Sequence, residues 1–534
     1  MLLAREIAPP GKITVNNTVL ILLTCLSSAM PLSATKPALV IVLVIDGLRP
    51  DSITDEATPN LERLKKAGVW YTQSHSVFPT VTRVNTASIS TGTLPAQHGI
   101  ASNALYLPAV SGKPLSNGDY RNLLTLGKLN GGRVVAPKSL EEYLSAAGVR
   151  YVAISSGSTG NALLLNPTAP YGQGSLINPG FESRSRVAFP DQLNAVLLSR
   201  FGQVKAEEGD EAMIWTERVL REYVLDVLHP QVVIDWMGRT DSAQHKSGAG
   251  SPEALAALRL VDQQIGLLLI RLRELNLEDK TDIIVACDHG FDYEPAADLI
   301  LPWRDPKLAP GDVVADMEGG TTLLYVKDHD PEKISVLVEK LQASAATNAI
   351  FVASAHPEAG NLRCSPGAVK GFVPGTFALE LVSQCLVAYG PDMIVTYQWN
   401  SEPNPFGVPG TQLVPGSSKN QPTHNGHGGL NPFVTHSTLL AAGPDFLQGK
   451  TIDSPAGNQD ITPTLLALQG LAMPASLDGR VLSEALKNAP KGRRFQASHR
   501  TFKVTSGTYC AELAVSYAGD HAYFDHASRC TARP

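Results

Sequence analysis

Six side chains that bind divalent cations well are scattered through this sequence. They are Asp46 in "VIDGLRP", Asp241 and His245 in "GRTDSAQHK", the neighbours Asp288 and His289 in "ACDHGF", and His427 in "HNGHGGL". Carboxylate mixed with imidazole suits Zn2+ or Mn2+, whereas Ca2+ and Mg2+ prefer shells of oxygen alone. Six such donors suffice for two ions. A seventh group, Thr82 in "FPTVTRVNTASISTG", adds a hydroxyl at an expected helix start. Threonine is a feeble nucleophile at neutral pH, and a divalent cation lowers its pKa enough to supply an alkoxide. Two cations roughly 4 Å apart stabilise the attacking and leaving oxygens of an in-line displacement at phosphorus. The residue types therefore predict a two-metal centre around one hydroxyl.

That centre needs elements that bring distant residues together. "PALVIVLVIDG" is a continuous Val/Ile run bounded by Pro and Gly, the pattern of a strand buried on both faces of a parallel sheet. "VRYVAISSG", "PQVVIDWMG" and "TDIIVACDHG" repeat it. "TPNLERLKKAG" reads as a short helix with Thr58 as N-cap, Pro59 in the first position and Gly68 as terminator. "SPEALAALRLVDQQIGLLLIRLREL" reads as a long amphipathic helix. Alternating strands and helices predict an α/β fold: a mostly parallel central sheet with helices on both faces. In such sheets ligands gather beyond the carboxyl ends of the strands, where Asp46, Asp241 and Asp288 all fall. Asp241 and His245 sit four apart, one helical turn, so both can face one way.

The chain has 534 residues, 43% apolar and 18% charged, with a formal net charge of −6. That balance argues against a nucleic-acid-binding surface. The 45 Gly and 38 Pro indicate many ordered loops. Residues 102–210 and 301–420 are expected to be α+β insertions that shape the site, residues 35–490 the catalytic domain, and 491–534 a C-terminal tail. Arg5 and Lys12 precede "TVLILLTCLSSAMPLSA", a run too short to span a membrane and suited to a secretory signal peptide over residues 1–34. Thr24 before Cys25 does not fit a lipoprotein cleavage site. Export to a secreted or periplasmic location would permit cysteine pairing, with Cys364–Cys385 and Cys510–Cys530 as candidates and Cys287 a buried thiol.

The order D-G, P-T-x-T-x-x-N, D-x-x-x-H, D-H-G and H-G resembles the nucleotide pyrophosphatase/phosphodiesterase branch of the alkaline phosphatase superfamily. The resemblance runs from about Ile41 to Leu482 and includes "TPNLERL", "TGTLPAQHGI" and "DITPTLLAL". It implies two zinc ions on an alkaline phosphatase-like α/β fold. One ion would be held by Asp241, His245 and His427, the other by Asp46, Asp288 and His289. Thr82 would be the nucleophile, bridging toward the metals, and Asn85 would donate a hydrogen bond to a phosphoryl oxygen. The implied substrates are small phosphate diesters or nucleotide pyrophosphates. The family typically reads T-F-P-N at the nucleophile, whereas this chain reads "TRVN", which keeps a phosphomonoesterase or phosphonate hydrolase in view. Arg83 would supply the extra cation a monoester needs. A sulfatase is disfavoured: "CSPGA" at Cys364 lacks the arginine of the C-x-P-x-R segment.

Plainer roles compete at single positions. Thr82 could be only a helix cap, and the chain a non-catalytic binding protein. Thr80 precedes the expected helix start and is the weaker hydroxyl. His98 and His424 read as structural, Tyr106 and Tyr151 as packing.

Overall fold

A computed structural model describes residues 37–181, 186–204, 209–295, 301–305, 308–358, 361–385, 387–415, 424–489 and 496–530. The segment read as a signal peptide lies outside them. Among the described residues no helix is long and apolar enough to cross a membrane.

Nine strands form the central sheet: β1 (Leu39–Ile45), β2 (Val69–Tyr71), β3 (Tyr151–Ser155), β4 (Ser175–Ile177), β5 (Ala188–Phe189), β6 (Val232–Met237), β7 (Thr281–Ala286), β8 (Leu439–Ala442) and β9 (Lys450–Ile452). Their order is β9-β2-β8-β7-β1-β6-β3-β4-β5. β1 lies at the centre, parallel to β7 on one side and to β6 on the other, with Leu43 opposite both Val285 and Asp235. β8 runs antiparallel to β7 and β2, and β5 antiparallel to β4. The sheet is thus mixed with a parallel heart, an α/β fold as expected.

Every residue of β1 is buried. Val40, Val42 and Val44 enter the core on one face, and Leu39, Ile41, Leu43 and Ile45 enter a second core on the other. Two apolar faces explain the unbroken Val/Ile run, since a half-solvated strand would alternate with polar residues. Helices cover both faces. Among them are α1 (Pro59–Ala67), with Thr58 at its N-cap position, where the hydroxyl bonds back to Thr54 and makes no capping bond, and Gly68 at its end, and α2 (Thr82–Thr91). Further along come α3 (Arg239–Ser247) and the long α4 (Pro252–Glu274).

The stretch 102–210 does more for the sheet than its sequence suggests. Besides β3 it supplies β4 and β5, of three and two residues, which are too short to show a period. Residues 301–420 contain a separate five-stranded sheet with the helix Pro331–Ala343 packed in its core.

Residues 497–529, expected as part of a tail, form a three-stranded antiparallel sheet (Ala497–Ser506, Tyr509–Ala518, His521–Arg529). Val504, Leu513, Val515 and Ala527 alternate along these strands and share a core with Phe351 and Phe377. Gly507 and Gly519 adopt positive φ at the first position of each two-residue turn, where a hairpin reserves a place for glycine. Disulfides join Cys510 to Cys530 and Cys364 to Cys385, and Cys287 is a buried free thiol.

Candidate metal centre

The three central strands β6, β1 and β7 end side by side, and the chain leaves each through a turn that carries a ligand-type residue. Asp46 follows β1 directly, and Gly47 turns the backbone away at φ +71°. A side chain at Gly47 would crowd Gln244 and the Phe291 ring, and the positive φ itself favours glycine. Asp288 and His289 leave β7 after Cys287, where irregular backbone lets both converge. β6 is followed by α3, which carries Asp241 in its first turn and His245 one turn later. His427 arrives from the strand His424–Gly426, and Gly428 turns the chain at φ +93°.

These residues meet in two groups, Asp46–Asp288–His289 and Asp241–His245–His427. Within each, one donor atom per residue lies within 4.8 Å of the others. In the first, His289 Nε2 is 3.1 Å from Asp288 Oδ2 and 3.5 Å from Asp46 Oδ1. In the second, Asp241 Oδ1 is 3.3 Å from His245 Nε2 and 3.8 Å from His427 Nε2. The groups adjoin: the His289 and His427 rings stack with centroids 3.5 Å apart. Thr82, the first residue of α2, places Oγ1 3.3 Å from His289 Nε2.

The surrounding hydrogen bonds fix which atoms face inward. His289, His245 and His427 each donate Nδ1–H to a backbone carbonyl, of Gly290 (2.9 Å), Asn425 (2.8 Å) and Thr80 (3.0 Å). Each therefore turns Nε2 toward the carboxylates, the nitrogen whose lone pair a metal ion would take once any proton there has left. The carboxylates are oriented likewise. Trp236 Nε1 donates to Asp46 Oδ2 (3.0 Å) and the Gly47 amide to Asp288 Oδ1 (3.1 Å). The remaining oxygens, Asp46 Oδ1, Asp288 Oδ2 and Asp241 Oδ1, are buried without a hydrogen-bond partner. A buried, unpaired carboxylate oxygen is costly, and three together need a cation.

The electrostatics agree. Burial, then the charges of Asp288 and Asp241, push Asp46 well above the usual carboxylate range. Burial and the neighbouring His289 and His245 drive His427 well below an ordinary imidazole. Burial works against protonated His245, but the charge and hydrogen bond of Asp241, together with the Asn425 carbonyl and the charge of Glu294, outweigh it and raise the group to about 9. Protons alone leave this cluster frustrated, with Asp46 held up beside a histidine held down. Divalent cations would relieve both.

Asn85 does not take part as expected. Its Nδ2 donates to the carbonyls of Val77 (3.0 Å) and Val81 (3.1 Å), and its Oδ1 accepts from the Val77 amide and Asn458. With every donor used to hold the loop before α2, it has none left for a phosphoryl oxygen. Asn103, by contrast, meets the first turn of α2 with its amide nitrogen uncommitted. Its Oδ1 accepts from the Arg83 amide in the first turn of α2 (3.0 Å), and its Nδ2 has no partner among the described residues. The spacing to Thr82 carries no local signal, since Asn103 comes from a separate loop. Trp236 and Thr80 were also missed, the one hidden as a core residue of β6 and the other acting through its carbonyl.

Thr80 Oγ1 donates to the Gly429 carbonyl and is occupied there. Arg83 sends Nη2 to Ser158 Oγ (2.9 Å). His98 is buried against Ser88, and Tyr151 donates to the Leu165 carbonyl, structural roles as expected.

Comparison with known proteins places the chain in a family. The chain is 28% identical to rat ectonucleotide pyrophosphatase/phosphodiesterase family member 3 over 259 residues, 47% of this chain and 25% of that protein. It is 27% identical to an uncharacterized pyrophosphatase/phosphodiesterase of Schizosaccharomyces pombe over 266 residues, 50% of this chain and 47% of that one. The match thus spans at most about half the length of these relatives. The structure of murine ectonucleotide pyrophosphatase/phosphodiesterase 5 has the same fold at 16% identity, with a TM-score of 0.57 over 85% of this chain and 100% of that chain. Residues 40–412 match the family described as type I phosphodiesterase / nucleotide pyrophosphatase, and the chain belongs to that family.

Proposed function

We propose that this protein is a secreted or periplasmic two-zinc hydrolase of small phosphate diesters or nucleotide pyrophosphates. The observation that carries the reading is the set of three unpaired carboxylate oxygens and three inward Nε2 atoms gathered beside Thr82 Oγ1. Asp46, Asp288 and His289 would hold one ion, and Asp241, His245 and His427 the other. A mixed oxygen and nitrogen donor set suits zinc, with Mn2+ the nearest substitute. Bound there, the zinc pair supplies Lewis-acid charge to a phosphate ester and acidifies the hydroxyl beside it.

The protein's own groups do the rest. Thr82 Oγ attacks phosphorus in line with the leaving oxygen, giving a phosphothreonine that water then hydrolyses. The start of α2 favours the phosphoryl anion. Asn103, fixed through its carbonyl oxygen, directs its amide hydrogens to the same anion. Support for Thr82 also comes from a threonine-to-alanine variant of the murine family member 5, described as inactive and in complex with AMP. Arg83, the cation a monoesterase would need, is engaged with Ser158, which favours diesters. The two disulfides fit an oxidising compartment.

The test is Thr82→Ala together with a panel of nitrophenyl esters. The variant is expected to keep its metal and lose turnover by about 10³-fold or more. Unchanged turnover removes Thr82 as nucleophile. Diester hydrolysis about a hundredfold slower than monoester hydrolysis by the wild type would make the protein a phosphomonoesterase.

A further inference from the structure

A second histidine–aspartate cluster lies outside the centre described above. His75 precedes α2 in sequence, His436 follows the short helix Pro432–Thr435, and Asp525 sits in the last strand of the terminal sheet. One donor atom from each lies within 4.8 Å of the others. His75 Nε2 is 2.9 Å and His436 Nε2 3.6 Å from Asp525 Oδ1, and the two rings are 4.7 Å apart between centroids. With zinc–ligand bonds near 2.0–2.1 Å, donor atoms around a tetrahedral ion stand about 3.3 Å apart. The observed separations bracket that value.

Proton arithmetic at His75 points the same way. Its Nδ1 faces the Ala456 carbonyl at 3.2 Å and its Nε2 faces Asp525 Oδ1. Both partners only accept, while a neutral imidazole carries one N–H. One of the two contacts therefore lacks a hydrogen unless the ring is doubly protonated or a cation lies between. The side chain is 1% exposed. With the Ala456 carbonyl taking the Nδ1 hydrogen, as the carbonyls of Gly290, Asn425 and Thr80 do for the three histidines of the main centre, the Nε2 lone pair faces Asp525 with no hydrogen between them. On the carboxylate side, Ser516 Oγ lies 2.8 Å from Asp525 Oδ2 and 2.9 Å from Oδ1, and its one hydrogen can occupy only one of them.

We propose that His75, His436 and Asp525 form a third divalent-cation site, with two imidazoles and one carboxylate suited to zinc, which fastens the terminal sheet to the segments that precede α2 and follow the helix Pro432–Thr435. Its two histidines and its aspartate come from opposite sides of that junction, so an ion there cross-links them.

The experiment counts ions. Metal-stripped full-length protein is titrated with Zn2+ against a chromophoric chelator, and His436→Ala is titrated in parallel. His436 is 28% exposed, so its removal leaves the core closed. The wild type is expected to take up one more equivalent than the variant. This difference is independent of how many ions the main centre takes, so it separates this site from the proposed catalytic pair. His436→Gln, which keeps a polar group facing Asp525, is expected to lose the same equivalent. Equal uptake by the wild type and either folded variant overturns the proposal.

Discussion

The two halves of the candidate centre are built differently. Asp46, Asp288 and His289 have side-chain exposures of 7%, 0% and 0% and stand on turns that leave the two middle strands of the sheet. Asp241, His245 and His427 have exposures of 18%, 45% and 8% and stand on a surface helix and on a loop beyond the sheet. The inner group places two carboxylates where water cannot solvate them, so its cation would be part of the folded structure. The outer group, with His245 exposed, would exchange its cation while the sheet stays intact. Burial thus divides one centre into a structural half and an accessible half.

The largest expected effect comes from breaking each half in turn. Asp288→Asn should abolish activity, lose the inner ion and lower the melting temperature. His245→Gln should weaken outer-site zinc by about 10²-fold or more and leave the melting temperature of the metal-free protein nearly unchanged. Elemental analysis with thermal denaturation distinguishes the two, and equal destabilisation would erase the contrast.

Next is the choice between the two asparagines. Asn103→Ala should lower kcat by about 10²-fold with zinc retained. Asn85→Ala should act on stability, because it removes four hydrogen bonds that hold the loop before α2. Steady-state kinetics beside urea unfolding measures both. A smaller effect is expected at Trp236→Phe, which keeps the packing of β6 and removes the donor to Asp46 Oδ2. Inner-site affinity should fall about 10-fold while the outer site is unmoved.

The mildest test varies pH. His245 loses its proton only near pH 9 in the metal-free chain, so below that an entering ion must displace a proton. Outer-site zinc affinity should therefore rise with pH, by about tenfold per unit between about pH 6 and 8, with one proton released per ion. Calorimetry in buffers of different ionisation enthalpy counts that proton.

What the sequence made legible follows the same division. The inner ligands stand out because unbroken Val/Ile runs stop on them, and a parallel sheet collects such ends. The outer pair is legible through one helical turn. Asn85 misled because spacing along a helix cannot say whether an amide turns toward the ligand or back toward its own loop. Asn103 reaches the site from a loop without periodicity, so only folding reveals it. The edge strands β4 and β5 escaped for lack of length. The terminal sheet escaped although its alternating residues and paired turn glycines, Gly507 and Gly519, spell two hairpins.

The central strand β1 needs partners from residues 232–237 and 281–286, and the last metal-ligand histidine of the centre comes only at position 427. Until His427 has left the ribosome, the nascent polypeptide would hold the proposed nucleophile without its full cation cage. On this reading activity would switch on only after that point, and any product cut short before His427 would be hydrolytically silent.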